Sequence, residues 1–165
     1  MKLEILSDNE INIFSSSEEE TFALGKSVAT VLPGGTVLYL NGDLGAGKTL
    51  FTRGIGSQLG IERVKSPSFI IVAEHNKGKL PLVHVDLYRL TTEEEVAELD
   101  LPYYLEQGAL LVVEWPERWI NRPSEFPSIE FNFKKSDENE NDRCINIKSE
   151  EIGYISSLLK MLNDK

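Results

Sequence analysis

Apolar positions in the first part of the chain recur at the spacing of an amphipathic helix. They fall at Phe22, Gly25, Val28, Ala29 and Leu32. Three overlapping Ser-x-x-Glu capping boxes at residues 15–20 predict the start of this helix, and Pro-Gly-Gly at residues 33–35 predicts its end. The acidic triplet at residues 18–20 is therefore interpreted as part of a helix cap.

Short, continuously apolar runs predict buried strands. Thr36–Asn41 and Ala109–Val113 are apolar on both faces, which is typical of interior strands. Between them, Lys48–Leu59 reads as a helix that Gly60 ends. Further strands are predicted at Phe69–Glu74 and Leu80–Asp86, joined as a hairpin by His75–Lys79, and at Ile129–Phe133 and Arg143–Lys148, which form an antiparallel pair.

The remaining segments complete the prediction of an α/β fold. Thr91 and Thr92 cap a short helix to about Leu99, and Pro102–Gln107 forms a further helical turn. The charged residues 135–142 are predicted to be a mobile loop. Ser149 is expected to cap a last helix whose apolar face is Ile152, Ile155, Leu159 and Leu162.

These elements predict one three-layer domain over residues 1–165. Its central sheet is expected to be mixed and mainly parallel, with the antiparallel pair at its C-terminal end. Composition agrees, since 41% of the residues are apolar and 27% are charged, as in ordinary globular proteins. Ligands of such sheets bind at the carboxyl ends of the parallel strands.

Charge and cysteine content narrow the classes of function. The net charge is −10, from 27 acidic and 17 basic residues, and no basic face is visible. Direct binding of a nucleic acid is therefore not expected. The single cysteine, Cys144, suits a reducing cytosol, and neither a signal peptide nor a membrane-spanning run is apparent, so a cytoplasmic protein is predicted.

A glycine-rich segment between a predicted strand and a predicted helix carries the strongest chemical signal. It fits the pattern G-x-x-x-x-G-K-[ST] and consists of Gly42, Asp43, Leu44, Gly45, Ala46, Gly47, Lys48 and Thr49. In such a loop the backbone N–H groups and the helix N-terminus surround a phosphate. Lys48 would reach the β- and γ-phosphates of ATP, and the Thr49 hydroxyl would ligate Mg²⁺. The segment predicts a P-loop NTPase.

Two further apolar runs each end in an acidic residue, at Asp86 and at Glu114. If both strands run parallel to Thr36–Asn41, the two acids lie at the same edge of the sheet as the glycine-rich loop. A triphosphate site needs a carboxylate that holds Mg²⁺ directly or through water, and often a second group that positions the attacking water. Either acid alone could instead cap the helix or turn that follows it.

Several nearby side chains allow two interpretations. His84 alternates with apolar neighbours, which favours a core or supporting histidine over a ligand, and His75 is expected to be solvated in a turn. Trp115 could lie beside the site or fill an edge of the core. Arg89 could neutralise phosphate charge or pair with Asp86 or the acidic run 93–95. Residues 118 and 122, both arginine, could form a small phosphate lid or surface salt bridges.

Four short motifs in a fixed order resemble the TsaE family of bacterial tRNA threonylcarbamoyladenosine modification. They are the glycine-rich loop, Ser66-Pro67-Ser68-Phe69, His84-Val85-Asp86-Leu87-Tyr88-Arg89 and Glu114-Trp115-Pro116. The resemblance covers roughly residues 15–120. Ser68 stands where the family usually has threonine, and Leu50 where it commonly has threonine or serine.

The resemblance implies a Mg²⁺-dependent ATPase with these residues in its site. Lys48 and Thr49 would bind phosphate and Mg²⁺, Glu114 would be a metal ligand, and Asp86 would be needed for hydrolysis. Ser66–Phe69, which includes Ser68, would sense the nucleotide. Trp115 would lie beside the site, and the region of Glu18 would approach the base.

The resemblance also implies protein partners, which composition and spacing do not. In the family the ATPase works with two proteins, one of which transfers threonylcarbamoyl to adenosine 37 of ANN-decoding tRNAs. The tRNA would be reached only through those partners. Two other classes remain open: a small-molecule kinase with residues 118 and 122 as its lid, and a binding module that ATP orders without being hydrolysed. A GTPase is not expected, because the chain lacks an Asn-Lys-x-Asp motif.

Overall fold

The computed structural model describes residues 1–137 and 139–164. Eight strands are present: β1 Lys2–Ser7, β2 Glu10–Ser15, β3 Val37–Asn41, β4 Val72–His75, β5 Leu82–Asp86, β6 Leu110–Glu114, β7 Ser128–Lys135 and β8 Arg143–Lys148. The helices are α1 Glu18–Val31, α2 Lys48–Leu59, α3 Glu93–Glu98, α4 Leu101–Glu106 and α5 Tyr154–Asn163, with a 3₁₀ turn at Pro116–Arg118. The predicted loop 135–142 and the predicted domain 1–165 include Glu138 and Lys165, which lie outside the described residues.

All eight strands form one mixed sheet in the order β1-β2-β8-β7-β3-β6-β5-β4. The pairs β7–β3, β3–β6 and β6–β5 are parallel, and the other four pairs are antiparallel. The prediction of a mainly parallel sheet was therefore wrong, because the N-terminal hairpin β1–β2 was not anticipated and adds two antiparallel pairs. The predicted C-terminal antiparallel pair is confirmed as β7–β8.

Helices cover both faces of the sheet. One buried apolar cluster joins Leu38 and Leu40 of β3 to α1, α2 and α5, and includes Phe51 and Ile55. The other joins the opposite face of β3 to α3 and α4. The alternation of side chains along a strand produces these two faces, and a strand that is buried on both reads as a continuous apolar run.

The backbones of α1 and α2 lie against each other without intervening side chains. A Cβ atom built on Gly54 of α2 would fall on the carbonyl oxygen of Phe22, and one built on Gly25 of α1 would fall on that of Phe51. This close contact fixes the axis of α2, and therefore the position of the glycine-rich loop at its N-terminus. The cap of α1 is Ser17, whose side chain accepts a hydrogen bond from the backbone N–H of Glu20.

Two elements begin three or more residues later than the sequence prediction. The strand expected at Phe69–Glu74 begins only at Val72, because the N–H groups of Ile70 and Ile71 both turn back to the carbonyl of Pro67, at 3.1 and 2.7 Å. The last helix begins at Tyr154 after Gly153, and Ser149 does not cap it.

The side chain of Ser149 serves a different purpose. It is buried, donates a 2.7 Å hydrogen bond to the carbonyl of Ser128 and accepts one from the N–H of Glu151. Ser149 thus joins the end of β8 to the start of β7. Ile152, which was predicted to lie on the apolar face of the last helix, precedes that helix and is fully exposed, whereas Ile155 is buried.

Candidate functional site

The glycine-rich loop connects the end of β3 to the start of α2. Gly42, Gly45 and Gly47 have backbone φ angles of 138°, 78° and 107°, which residues other than glycine rarely adopt. A Cβ on Gly42 would also lie 2.6 Å from the carbonyl oxygen of Phe133 on β7. Gly47 occupies the N-cap of α2 and provides no side-chain cap, so the first N–H groups of the helix remain available to an anion.

Lys48 lies inside this loop. Its side chain is buried, and its Nζ donates hydrogen bonds to the carbonyl oxygens of Gly42 and, at 3.1 Å, of Asp43. The same atom lies 5.9 Å from the centroid of the Trp115 ring. A fixed ammonium group beside uncapped N–H groups makes this part of the cleft favourable for phosphate.

The two acids lie next to each other across the loop. Strand β6 is parallel to β3, and β5 is parallel to β6. Asp86 and Glu114 are paired in register at the carboxyl ends of β5 and β6. The N–H of Leu87 donates to the carbonyl of Glu114 at 3.1 Å, and the N–H of Tyr88 donates to Oδ1 of Asp86 at 3.0 Å. The placement expected from the sequence is therefore observed.

Both acids are at least partly buried. The pKa of Asp86 is raised, first by loss of solvation and then by the negative charge of Glu114, although the hydrogen bond from Tyr88 opposes this. Glu114 is buried, and its Oε2 lies 3.6 Å from Nε2 of His84, which is fully buried. A pair of close, poorly solvated carboxylates beside Lys48 is suited to hold a cation.

A cleft of about 280 Å³ brings these groups together. The predicted loop residues 43–49, Glu18, Ser68, the two acids and Trp115 line it. Gly42 does not, but its carbonyl accepts from Lys48, and of the segment Ser66–Phe69 only Ser68 lines the cleft. The lining consists of Ser17, Glu18, Thr21, Asp43, Leu44, Gly45, Ala46, Gly47, Lys48, Thr49, Leu50, Arg53, Ser68, Asp86, Glu114, Trp115, Asn141 and Arg143.

The segment Ser66–Phe69 forms a tight turn at the acidic end of the cleft. The hydroxyls of Ser66 and Ser68 are 2.9 Å apart, and Ser68 lines the cleft. Phe69 is 83% exposed, and the guanidinium carbon of Arg89 lies 5.3 Å from its ring centroid. Arg89 therefore stacks on Phe69.

His75 differs from the sequence prediction. It was expected to be solvated in a turn, but it is buried at the end of β4, where its Nε2 accepts a 3.3 Å hydrogen bond from the N–H of Lys65. Burial, followed by the charges of His84 and Lys65, lowers the pKa of His75. The contact ties the start of the Ser66–Phe69 segment to the sheet.

Trp115 satisfies both interpretations offered for it. It lines the cleft, packs against the apolar cluster on the α3–α4 face, and its ring lies 4.8 Å from that of Tyr88. The arginines that could have formed a phosphate lid do not line the cleft. Arg122 instead donates to the carbonyls of residues 116 and 119 and stacks on Tyr39 at 4.5 Å.

Oxygen donors suited to Mg²⁺ converge in the cleft. Thr49 offers a hydroxyl, and Glu114 and Asp86 offer carboxylates. Among residues 1–137 and 139–164, no group of three or more His, Cys, Asp or Glu side chains could form a complete metal cage. Magnesium in phosphate sites is usually bound by one or two carboxylates together with water and the phosphates themselves, so these residues fit that ion.

Five polar cleft residues were not predicted as parts of a site: Ser17, Thr21, Arg53, Asn141 and Arg143. Arg53 could have been found, because it follows Thr49 by four residues on the same helix and therefore shares its face. Asn141 and Arg143 carry no local signal. They reach the cleft only because β8 pairs with β7 and with the unanticipated strand β2.

The fold and the cleft define an α/β protein with a phosphate-loop sequence opposite two acids. Comparison with known proteins is more specific: residues 15–145 match the TsaE family, described as threonylcarbamoyl adenosine biosynthesis protein TsaE. The chain belongs to the TsaE family, whose members are proteins of tRNA threonylcarbamoyladenosine biosynthesis.

Individual relatives agree with this assignment. The TsaE protein of Synechocystis sp. is 42% identical over 126 residues, which cover 73% of this chain and 79% of that protein. The TsaE protein of Rickettsia conorii is 37% identical over 153 residues, covering 90% and 85%. The crystal structure of YdiB from Bacillus subtilis superposes with a TM-score of 0.72 at 32% identity, covering 94% of this chain and 95% of that one.

The family resemblance expected from the four motifs is therefore confirmed, and the match extends beyond residue 120, where no motif could be identified from the sequence. Within the described part of the chain, no helix is long and apolar enough to cross a membrane.

Proposed function

We propose that this chain is a Mg²⁺-dependent P-loop ATPase with low intrinsic turnover. The observation that supports it best is the arrangement around Lys48. A buried ammonium group and the uncapped N-terminus of α2 face two adjacent carboxylates across one cleft. Phosphoryl transfer relies mainly on positioning and on electrostatic stabilisation, and these groups supply both.

Each residue has a separate role in this proposal. The loop N–H groups and Lys48 bind the β- and γ-phosphates, while Thr49 and Glu114 hold Mg²⁺, which neutralises phosphate charge when bound. Asp86 orients a water molecule and accepts its proton as the water oxygen bonds to the γ-phosphorus. The bond from that phosphorus to the bridging oxygen then breaks, and ADP leaves with the electron pair. The raised pKa of Asp86 makes the carboxylate a better proton acceptor.

The two ends of the cleft suggest the orientation of ATP. Asp86, Glu114 and Ser68 would surround the γ-phosphate, and the base would lie towards Glu18 at the start of α1. This orientation places the Ser66–Phe69 segment where it can respond to the γ-phosphate, with Trp115 beside it.

We infer further that the ATPase serves threonylcarbamoylation of adenosine 37 in ANN-decoding tRNAs by acting on a partner transferase complex. Membership in the TsaE family supports this role. A net charge of −10 is unfavourable for holding RNA, so the partners would hold the tRNA. A cytoplasmic location follows from the same role.

The experiment that tests the proposal measures ADP and phosphate released from ATP and Mg²⁺, together with modification of tRNA in a reaction reconstituted with the partner proteins. Asp86→Asn and Glu114→Gln should fold normally and should lower turnover by at least about 100-fold, the effect of losing a catalytic group. The matched control is Glu106→Gln, an exposed acidic residue of α4 that does not line the cleft. Release of ADP without phosphate would indicate a kinase, and binding without release would indicate a nucleotide-gated module.

A further inference from the structure

His84 has an unusual environment for a buried polar side chain. It lies in the middle of β5 and has no exposed surface. Neither of its ring nitrogens has a hydrogen-bond partner among residues 1–137 and 139–164. Buried polar groups in folded proteins are nearly always hydrogen-bonded, so an orphaned imidazole requires an explanation.

The carboxylate of Glu114 lies close to the His84 ring. Asp86 pairs in register with Glu114, and His84 lies two residues earlier on the same face of β5. Nε2 of His84 is 3.6 Å from Oε2 of Glu114. This distance is too long for a hydrogen bond, but bonds of this kind often shorten when a substrate binds.

We propose that His84 is a positioning residue for Glu114: its Nε2–H donates to the carboxylate and fixes the orientation in which that carboxylate meets Mg²⁺. The inference rests on the proposed function, in which Glu114 is a metal ligand. Carboxylates that bind metals are themselves usually hydrogen-bonded, and losing such a partner typically weakens metal binding 10- to 100-fold. A shift of either side chain by about a few tenths of an ångström brings Nε2 within hydrogen-bond distance of the carboxylate.

A purely structural role for His84 makes the opposite prediction. If the imidazole only fills space between β5 and α2, leucine should replace it without harm, because an apolar group of similar size removes two unsatisfied polar atoms. A positioning role instead requires a donor at the location of Nε2. The amide nitrogen of glutamine can reach that location, whereas the shorter amide of asparagine mimics Nδ1.

The first test therefore compares His84→Leu, His84→Gln and His84→Asn by titration of Mg²⁺ in the presence of a fluorescent ATP analogue. Urea unfolding of each variant confirms that it folds. We expect Mg²⁺-dependent binding to weaken about 10- to 100-fold in the leucine and asparagine variants and to recover largely in the glutamine variant. Equal Mg²⁺ affinity in wild type and His84→Leu would overturn the proposal, as would equal losses in the glutamine and asparagine variants.

The second test uses the protein without metal or nucleotide. Imidazole ¹⁵N shifts, recorded at about pH 8 where an ordinary histidine is neutral, report which ring nitrogen carries the proton. His84 should be protonated at Nε2, and Glu114→Gln should shift that signal. The chain has one other histidine, His75, whose Nε2 accepts a hydrogen bond and which should be protonated at Nδ1. His75→Gln assigns the two sets of signals.

An unprotonated Nε2 on His84 would overturn the proposal whatever the chain does with ATP. Failure of its premise, that this cleft binds Mg²⁺ with ATP, is recognised separately, since the wild-type chain would then show no such binding, and failure of the ATPase activity is recognised by the absence of phosphate release. Binding by the wild type, together with unchanged binding by His84→Leu, would contradict only the role of His84.

Discussion

At the scale of single residues, Lys48 combines a structural and a binding task. Its buried Nζ holds the carbonyls of Gly42 and Asp43, and the loop keeps its curved shape around that ammonium group. A bound phosphate would compete for the same donors. The side chain is therefore already placed where the proposed nucleotide needs it, which reduces the entropy lost on binding.

Lys48→Ala should weaken ATP binding about 10- to 100-fold, because charge-assisted hydrogen bonds contribute roughly 1.5–3 kcal/mol. Titration with a fluorescent ATP analogue measures the effect. Lys77→Ala provides a control of equal charge, since Lys77 is exposed in the loop between β4 and β5 and does not line the cleft. Equal affinity in wild type and Lys48→Ala would contradict phosphate binding by this loop.

The sequence predicted the positions of cleft residues well where the pattern is local. The glycine-rich loop and the acids at the ends of β5 and β6 follow from short patterns, because each pattern reflects the backbone around it. Arg143 could not be predicted, since it reaches the cleft through strand pairing far along the chain. The environment of His75 was likewise missed, because its partner, the N–H of Lys65, lies in an irregular segment.

At the scale of elements, the packing of α1 on α2 fixes the position of the N-terminus of α2, where the glycine-rich loop ends. Helical glycine usually costs about 0.5–1 kcal/mol relative to alanine, so glycine-to-alanine changes in a helix are normally stabilising. In α2 the close approach of backbones should reverse this sign at one position. Capping boxes and apolar spacing predicted α1, and α2 was predicted between the glycine-rich loop and Gly60, but neither pattern predicted how closely the two helices approach.

Gly54→Ala should lower the free energy of unfolding by about 1–3 kcal/mol, because its Cβ meets the Phe22 carbonyl, which cannot move without shifting α1. Gly56→Ala in the same helix is the matched control. Its Cβ meets the side chains of Val64 and Leu82 and no backbone atom, so side chains rather than a helix backbone must move to admit it. Urea unfolding compares the two variants, and equal losses would mean that the contact between the helix backbones is not the cause.

The segment between α2 and β4 is held by a contact that depends on pH. The folded protein lowers the pKa of His75 below its ordinary 6.5, so the unfolded chain binds protons more strongly. The stability contributed by His75 should be complete above about pH 6.5 and should be lost as the pH falls through its folded pKa. Protonation also abolishes the acceptor for the N–H of Lys65.

Unfolding experiments across this pH range should therefore show a fall in stability that His75→Gln reduces, because glutamine retains an acceptor and does not titrate. Protection of the amides of residues 65–71 against hydrogen exchange, corrected for the intrinsic exchange rate at each pH, should fall over the same range in the wild type only. An unchanged pH profile in the variant would show that His75 does not hold this segment.

At the scale of the whole molecule, the net negative charge is unfavourable for contact with tRNA, although the family acts in a tRNA pathway. A protein with 27 acidic and 17 basic residues repels a phosphate backbone, yet its family acts in the biosynthesis of a modified tRNA nucleoside. Both facts are satisfied if partner proteins bring the RNA. Composition alone predicted that the RNA would be held elsewhere, but the identity of the pathway required the four motifs.

The isolated chain should show negligible tRNA affinity at physiological salt and low ATP turnover. Partner proteins should raise that turnover by ordering the Ser66–Phe69 segment against the γ-phosphate, since Phe69 is largely exposed and its neighbour Ser68 already lines the cleft. Filter binding of tRNA and a phosphate-release assay, each with and without the partners, measure the two effects. Phe69→Ala should remove most of the stimulation, whereas Ile120→Ala, which removes another exposed apolar side chain outside the cleft, should retain it. Tight tRNA binding by the chain alone, or turnover that does not respond to the partners, would instead indicate an enzyme that works independently.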